Sequence, residues 1–488
     1  MKTETVKLRP RASSLIESLR DIGYSFESAV ADIIDNSITA KSQNIHLFFD
    51  YDEESKNIKF AIADDGMGMD YATLLEAMRP GSKNPLENRD KNDLGRFGLG
   101  LKTASFSQCR KLTVISKQKG KIHAARWDLD YVAEKEDWEL LVLPESYLKN
   151  LYKIEFLHKT DSGTIVIWEN NDRLVEDRSH MSKEYMYEKM RHLKSHLELV
   201  FHRFLSGKDK INMFINNKPL KPHDPFLTNH MATQILPEET IVLDGEKIYV
   251  QPYILPHFSK LSRQEYVQME GSGGYLKNQG FYVYRNRRLL ISGTWFRLVP
   301  QSELYKLARI RIDLPNDMDH LWKIDIKKST ASPPPAVKER LKKIIEKITN
   351  SSKRVYSARG HRSAGVPNAV WQREASRGEI KYVANRKHPL LANFYKSLGF
   401  RQKKLFSEVL DLLEESIPKD IIFNDMSERP KDIKNGETND EDLENRVKEW
   451  IREGIIDNEN AEILRHTEPF NKYTKSWEDF LKKYKESN

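Results

Sequence analysis

Asp32 and Asn36 stand four residues apart in the segment 26–40, whose Val30, Ile33, Ile34 and Ile38 recur at helical spacing. Both polar groups therefore project from one helix face, opposite in character to Val30, Ile33 and Ile34. A carboxylate and an amide one turn apart suit a site in which the acid orients or deprotonates water and the amide oxygen binds a hard cation. A second segment, Asp64-Asp65-Gly66-Met67-Gly68-Met69, directly follows a predicted strand at 57–63. A carboxylate at a strand end, followed by two glycines, lets backbone approach a flat ligand while the acid accepts a hydrogen bond from an exocyclic amine. The same residues also suit a tight turn between strand and helix. The third segment is Gly95-Arg96-Phe97-Gly98-Leu99-Gly100-Leu101-Lys102-Thr103-Ala104-Ser105. Its glycines open a helix whose unpaired N–H groups can cradle phosphates, and Lys102 adds a point charge. The spacing is neither a Walker A loop nor a dinucleotide fingerprint.

These segments need elements to hold them. Helices are predicted at 13–22 and 26–40, with short strands rich in Ile, Val and Phe at 44–50, 57–63, 111–117, 121–129 and 164–168. The polar run 80–98, with Gly81, Pro85 and Gly95, reads as a long mobile loop of functional length. A helix over 183–205 leads out of this region into a second α+β stretch, 211–325, with strands at 211–216, 248–254, 281–284 and 308–313. Pro333-Pro334-Pro335 marks a boundary. The remainder is expected to be mostly helical, interrupted near 360–367 and at the polar stretch 427–442.

The chain has 488 residues, enough for about three domains by the usual domain size. Its 8 Trp, 20 Tyr and 20 Phe can build real cores, which argues against global disorder. A mean hydropathy of -0.67, with no apolar run of spanning length, excludes an integral helical membrane protein, and no membrane partner is expected. The lone Cys109 excludes a disulfide scaffold and any multi-thiolate zinc site, and is expected to be a buried core residue. The first residues lack the apolar stretch of a signal peptide, so a cytoplasmic location is expected. Net charge is +8, unevenly spread: 336–404 carries +14 and 405–488 carries -9, which leaves +3 for the first 335 residues. The acidic tail reads as solvated helix surface. The basic segment mixes its charges with Tyr356, Trp371 and Tyr382, which suits either a solvated face or a grip on nucleic acid. No repeated carboxylate-and-lysine signature of a nuclease appears, and the 14 His form no metal-ligand cluster.

In this order, and with the long polar loop before the third, the three segments resemble the motifs of the GHKL ATPase superfamily. Asp32-Ile33-Ile34-Asp35-Asn36-Ser37 looks like its N-box, Asp64 to Gly68 its first glycine box and Gly95 to Lys102 its second. Ser162-Gly163-Thr164 is similar to its last adenine-side motif. The resemblance implies an α+β chain: a Bergerat-type α/β sandwich ATP-binding domain at 1–182, an S5-like α/β transducer domain at 183–335, then a basic segment at 336–404 and an acidic helical tail at 405–488. It implies ATP and Mg2+ as cofactors, with Asn36 coordinating the Mg2+ that bridges the phosphates. Asp64 would hold the adenine amine, with Thr164 supporting it through water and Gly66, Gly68 and Met69 beside the nucleotide. Gly95, Gly98, Leu99, Gly100, Leu101 and Lys102 would contact the phosphates, with 80–97 as the ATP lid. Asp32 falls where most ATPase members carry the Glu that activates water; being one methylene shorter, it requires a closer helix or implies slow turnover. Lys327 and Lys328, after Trp322, are the candidates for the transducer lysine that reaches the γ-phosphate, Lys328 preferred.

A sensor kinase would need a phosphoacceptor His helix before Asp32, and the 31 residues preceding it hold no His. Tyr284-Arg285-Asn286-Arg287-Arg288-Leu289-Leu290 resembles the strand–turn–strand of MutL and MORC proteins, with Asn286 and Arg287 at the turn and a basic pair, Arg287 and Arg288, available to DNA. The wording of the motifs is most similar to the MORC-like branch, whose bacterial members accompany restriction-modification and phage-defence modules. The resemblance therefore implies an ATPase that forms a homodimer on nucleotide binding and clamps double-stranded DNA, with a nuclease or other defence-system subunit as partner. The rival reading is a chaperone-like ATPase clamping a protein client, and a third is an ATP-binding regulator with little turnover.

Overall fold

The computed structural model describes residues 5, 10–54, 56–81, 100–174, 182–256, 260–270, 274–302, 305–319, 321–325, 331–348, 369–376, 379–419, 421–422, 439–456, 461–462, 464–465, 470 and 473–487. Two compact units divide the chain: 1–301 with 305–349, and 302–304 with 350–488.

Two sheets form the frame of the first unit. Strands β1 (Asn44–Asp52), β2 (Asn57–Asp64), β3 (Lys111–Gln118), β4 (Lys121–Asp128), β5 (Leu141–Val142), β6 (Gly163–Glu169), β7 (Asn212–Ile215) and β8 (Lys218–Pro219) lie in the order β5-β4-β3-β6-β2-β1-β7-β8. Neighbours are antiparallel except β1 and β7, which run parallel. Period-two alternation sends Phe60, Ile62, Leu112, Val114 and Trp168 to one face, where α1 (Ala12–Arg20), α2 (Phe26–Thr39), α4 (Gly100–Phe106) and α8 (Lys183–Val200) share their core. Ala61, Ala63, Ile115, Ile165 and Ile167 take the other face, under α6 (Glu145–Leu148) and α7 (Glu155–His158). Between β2 and β4, α3 (Tyr71–Met78) starts at the Asp70 cap; α5 (Leu129–Lys135) follows β4. Every strand expected in 44–168 forms. The strand expected at 211–216 forms too, but it joins this first sheet as β7 rather than the second: residues Asn44 to Leu47 pair with Asn212 to Ile215.

The second sheet takes β10 (Glu239–Leu243), β11 (Glu246–Ile254), β14 (Ala308–Leu314), β12 (Gly280–Arg285) and β13 (Arg288–Thr294) in that order, with β9 (Gln234–Ile235) on β11. At the β12–β13 turn Asn286 and Arg287 both sit at positive φ, 47° and 70°, the geometry of a two-residue hairpin that continues the strands' twist. The non-glycine at 287 is held in place: its guanidinium donates to the Arg203 carbonyl and stacks on the Phe204 ring.

The second unit holds a hairpin, β15 (Trp371–Ser376) with β16 (Glu379–Ala384), and helices Pro389–Ser397, Phe400–Glu415, Asp440–Arg452 and Trp477–Ser487. Leu443, Val447, Trp477, Phe480 and Leu481 close a small core there. The mostly helical expectation for this region therefore needs one amendment, the hairpin. No described helix is long and apolar enough to cross a membrane.

Candidate active site

Helix α2 presents the site's acids. Ser25 caps its N-terminus by accepting from the Ser28 N–H, and Phe26 anchors the first turn edge-on to Phe60 and close to Trp168. The sequence places Asp32 and Asn36 on the polar side of this helix. Asn36 is exposed as expected, whereas Asp32 is only 4 % exposed and Asp35 1 %. Burial has a specific cause: β13 brings Arg288, itself 4 % exposed, against both carboxylates. Its Nε lies 2.9 Å from Asp35 Oδ2 and its Nη2 donates to Asp32 Oδ1 across 3.4 Å. The availability of Arg288 to DNA expected from the turn is thereby corrected: it is an interior ion-pair partner, and its neighbour Arg287 is tied to Arg203 and Phe204.

The other Asp32 oxygen, Oδ2, accepts from the Tyr24 hydroxyl at 2.9 Å. Burial, then the adjacent Asp32 charge, pushes the Tyr24 phenol far above its ordinary range, so it stays protonated and donates. Oδ2 also faces the start of α4: a Cβ built on Gly100 would lie 3.8 Å from it. His196, on α8, is pushed down to about 4 by desolvation and then by the Arg288 charge, and is therefore neutral beside the arginine at neutral pH.

Asp64 ends β2 below α2. Ser37, the residue after Asn36, donates to its Oδ2 at 2.8 Å, while Ser42 and the Gly66 N–H donate to Oδ1 at 3.1 and 2.9 Å. Burial raises the carboxyl and these three bonds lower it, with burial the larger effect. The strand registers place Thr164 of β6 opposite both Asp64 and Ser116 of β3. Ser116 lies 2.9 Å from the Thr164 hydroxyl and accepts from the Met69 N–H at 2.8 Å. Asp64, Thr164 and Ser116 thus form a row across three adjacent strands, and Ser116 is a member that carries no motif of its own in the sequence.

Gly66 and Gly68 are required by packing within the protein. A Cβ at Gly66 would lie 2.7 Å from Ser42 Oγ, and one at Gly68 (φ 65°) would fall 1.9 Å from the Lys117 carbonyl oxygen. Lys102 is buried in α4, where its ammonium donates to the Ala77 carbonyl at 2.8 Å and desolvation brings it down to about 8. Leu101, beside it, packs on the main core. Gly95, Gly98, Leu99 and nearly all of the 80–97 lid lie outside the described residues, as do Lys327 and Lys328. Cys109 is buried, as expected.

Among the described residues no three His, Cys, Asp or Glu gather as a metal cage. Asn36, exposed and one turn from Asp32, could supply one amide oxygen to a Mg2+, whose remaining ligands would come from water and substrate phosphates.

Residues 24–164 match the family model described as histidine kinase-, DNA gyrase B-, and HSP90-like ATPase. The match covers α2, β2, α4 and the first residues of β6, the elements that carry Asp32, Asp64, Lys102 and Thr164. Residues 24–164 thus resemble an ATP-binding domain of the GHKL type. The chain is also similar to the ATPase morc-1 of Caenorhabditis elegans, 32 % identical over 98 residues. That alignment spans 20 % of this chain and 11 % of the relative.

Proposed function

We propose that the chain binds Mg-ATP at the site framed by α2, the end of β2 and the start of α4, and dimerises when it does so. The closed dimer acts as a slow, ATP-gated clamp on double-stranded DNA. Asp64 accepts from the adenine amine, with Thr164 and Ser116 beside it on the sheet, and Met69 and the two glycines shape the wall. Asn36 supplies its amide oxygen to the Mg2+, which screens the charge of the phosphates when bound. With the Lys102 ammonium on the Ala77 carbonyl and the Leu101 side chain on the core, these two residues contact the phosphates through their backbone N–H groups at the start of α4, together with Gly95, Gly98, Leu99 and Gly100. Asp32 orients the attacking water, and Lys328 or Lys327 reaches the γ-phosphate.

One observation carries the choice of Asp32. Its Oδ2 faces the opening of α4 at a glycine, so the shorter acid has a helix start close to it and no side chain between. The closer approach that an aspartate needs is therefore compatible with this packing.

The DNA reading draws on the second unit. In the β15–β16 register Arg373 stands opposite Tyr382, and Trp371 lies two residues along the same face. Trp371 and Tyr382 are 46 % and 49 % exposed. Large aromatics left in water beside an arginine suit stacking on bases or sugars and pairing with phosphate. In cells such a clamp would serve a restriction or phage-defence assembly, with cutting left to a partner subunit.

The test is molecular mass by light scattering with and without a non-hydrolysable ATP analogue, followed by duplex-DNA gel shifts over a salt series. The expected result is a doubling of mass with nucleotide and DNA binding that weakens steeply with salt. A mass unchanged by nucleotide overturns the clamp. Dimerisation without DNA binding at low salt transfers the reading to a protein client, and binding of ATP without turnover makes the chain a nucleotide-sensing regulator.

A further inference from the structure

We propose that Arg288 is the positioning residue for Asp32, so that the second sheet holds the water-orienting carboxylate in its working orientation; this rests on the reading of Asp32 given above. The two oxygens of Asp32 have different neighbours. Oδ1 takes Arg288 Nη2, while Oδ2 takes the Tyr24 hydroxyl and faces Gly100. A flat carboxylate gripped at both oxygens has little freedom to rotate.

The arginine is itself fixed before it meets Asp32. Its Nε is 2.9 Å from Asp35 Oδ2 and 3.0 Å from Oδ1, and its Nη1 donates to the Leu289 carbonyl at 3.0 Å. The Phe201 ring lies 5.8 Å from the guanidinium carbon. Beside these anchors of 2.9–3.0 Å the arm to Asp32 is longer, at 3.4 Å. Asp35 thus serves as the anchor of the guanidinium, and Asp32 as the group that the guanidinium steers.

Arg288 reaches α2 from 256 positions away in the chain because the β12–β13 turn ends at the preceding residue. A shift of β13 against α2 is therefore felt at Asp32 through this one side chain. Lysine is not an equivalent: one ammonium cannot present a planar fork to two carboxylates and a carbonyl together. Positioning of this kind acts on kcat, because a misdirected acid leaves nucleotide binding largely intact.

The experiment compares wild type with Arg288→Lys, Asp35→Asn and Asp32→Asn in the full chain, measuring kcat, KM and the dissociation constant of a fluorescent ATP analogue, with melting curves to establish folding. Arg288→Lys is expected to lower kcat at least about tenfold while KM and the dissociation constant move less than about threefold. Asp35→Asn, which loosens the anchor and leaves Asp32 in place, is expected to lower kcat in the same direction by a smaller factor. Wild-type kcat in Arg288→Lys overturns the inference, as does a fall in kcat matched by an equal loss of nucleotide affinity. Should the lysine variant fail to fold, an unchanged kcat in Asp35→Asn overturns it instead. Turnover that survives in Asp32→Asn overturns the underlying reading; turnover lost there but intact in Arg288→Lys overturns only the role of Arg288.

Discussion

Ser37 donates its hydroxyl hydrogen to Asp64 across 2.8 Å, so the helix that carries Asp32 and Asn36 is bonded directly to the strand end below it. The two halves of the candidate site, the acids of α2 and the carboxylate of β2, are set at a fixed spacing by this contact and by Ser42, whose one hydroxyl hydrogen is shared between the Ser37 carbonyl at 2.7 Å and Asp64 Oδ1 at 3.1 Å.

Asp64→Asn is expected to weaken ATP binding by roughly thirtyfold, the equivalent of about 2 kcal/mol for a lost charged acceptor. Isothermal titration with a non-hydrolysable analogue reads this directly. Wild-type affinity in that variant would remove Asp64 from the site.

Gly68→Ala places a methyl group on the Lys117 carbonyl and a side chain at a left-handed φ. A loss of about 2 kcal/mol or more follows, visible as a lower denaturant midpoint. Since Gln118 donates to the Gly68 carbonyl, the damage should extend to the β3 end of the site and to nucleotide affinity.

Acid should destabilise the fold through two desolvated imidazoles, one buried and one half-buried. His196 and His202 are each held down to about 4, from an ordinary 6.5, first by desolvation. Both stay neutral in the folded state, so the unfolded chain binds more protons below pH 6.5. Stability is therefore full above that value and falls as pH drops from 6.5 towards 4. Melting temperature followed over this window should fall less in a His196→Gln, His202→Gln double variant than in wild type.

On the hairpin, Trp371→Ala or Tyr382→Ala should cost about 1–3 kcal/mol of DNA affinity with the salt slope unchanged, whereas Arg373→Ala should flatten the slope by about one unit. Gel shifts across a salt series separate the two effects. Equal affinity in all three variants would move the DNA surface elsewhere on the chain.

Much of the frame was legible in the sequence. The strands of 44–168 announced themselves through alternating Ile, Val and Phe, and Asp64 through its place at a strand end before two glycines. Arg288 was not legible in its role, because its partners Asp32 and Asp35 lie more than 250 positions away and the contact depends on how one turn aims one strand. Ser116 has no local signal; only strand register brings it beside Thr164. The β15–β16 hairpin escaped notice because Trp371, Arg373, Lys381 and Tyr382 all remain exposed, which leaves no apolar face for a period of two to mark. For Gly66 and Gly68 the structure supplies a packing reason that the sequence did not show, since their absent side chains make room for Ser42 and Lys117.

The parallel pairing of β7 with β1 bears on where this protein can be cut. After α8 the backbone returns to the first sheet and occupies the outer side of β1, then adds β8 beyond it, before the second sheet begins. A fragment ended at residue 182 would strip β1 of that neighbour and leave a bare strand edge, an invitation to sticky self-association. A piece that keeps the first sheet whole therefore runs at least through Pro219, and even that piece would bury Asp32 and Asp35 without Arg288.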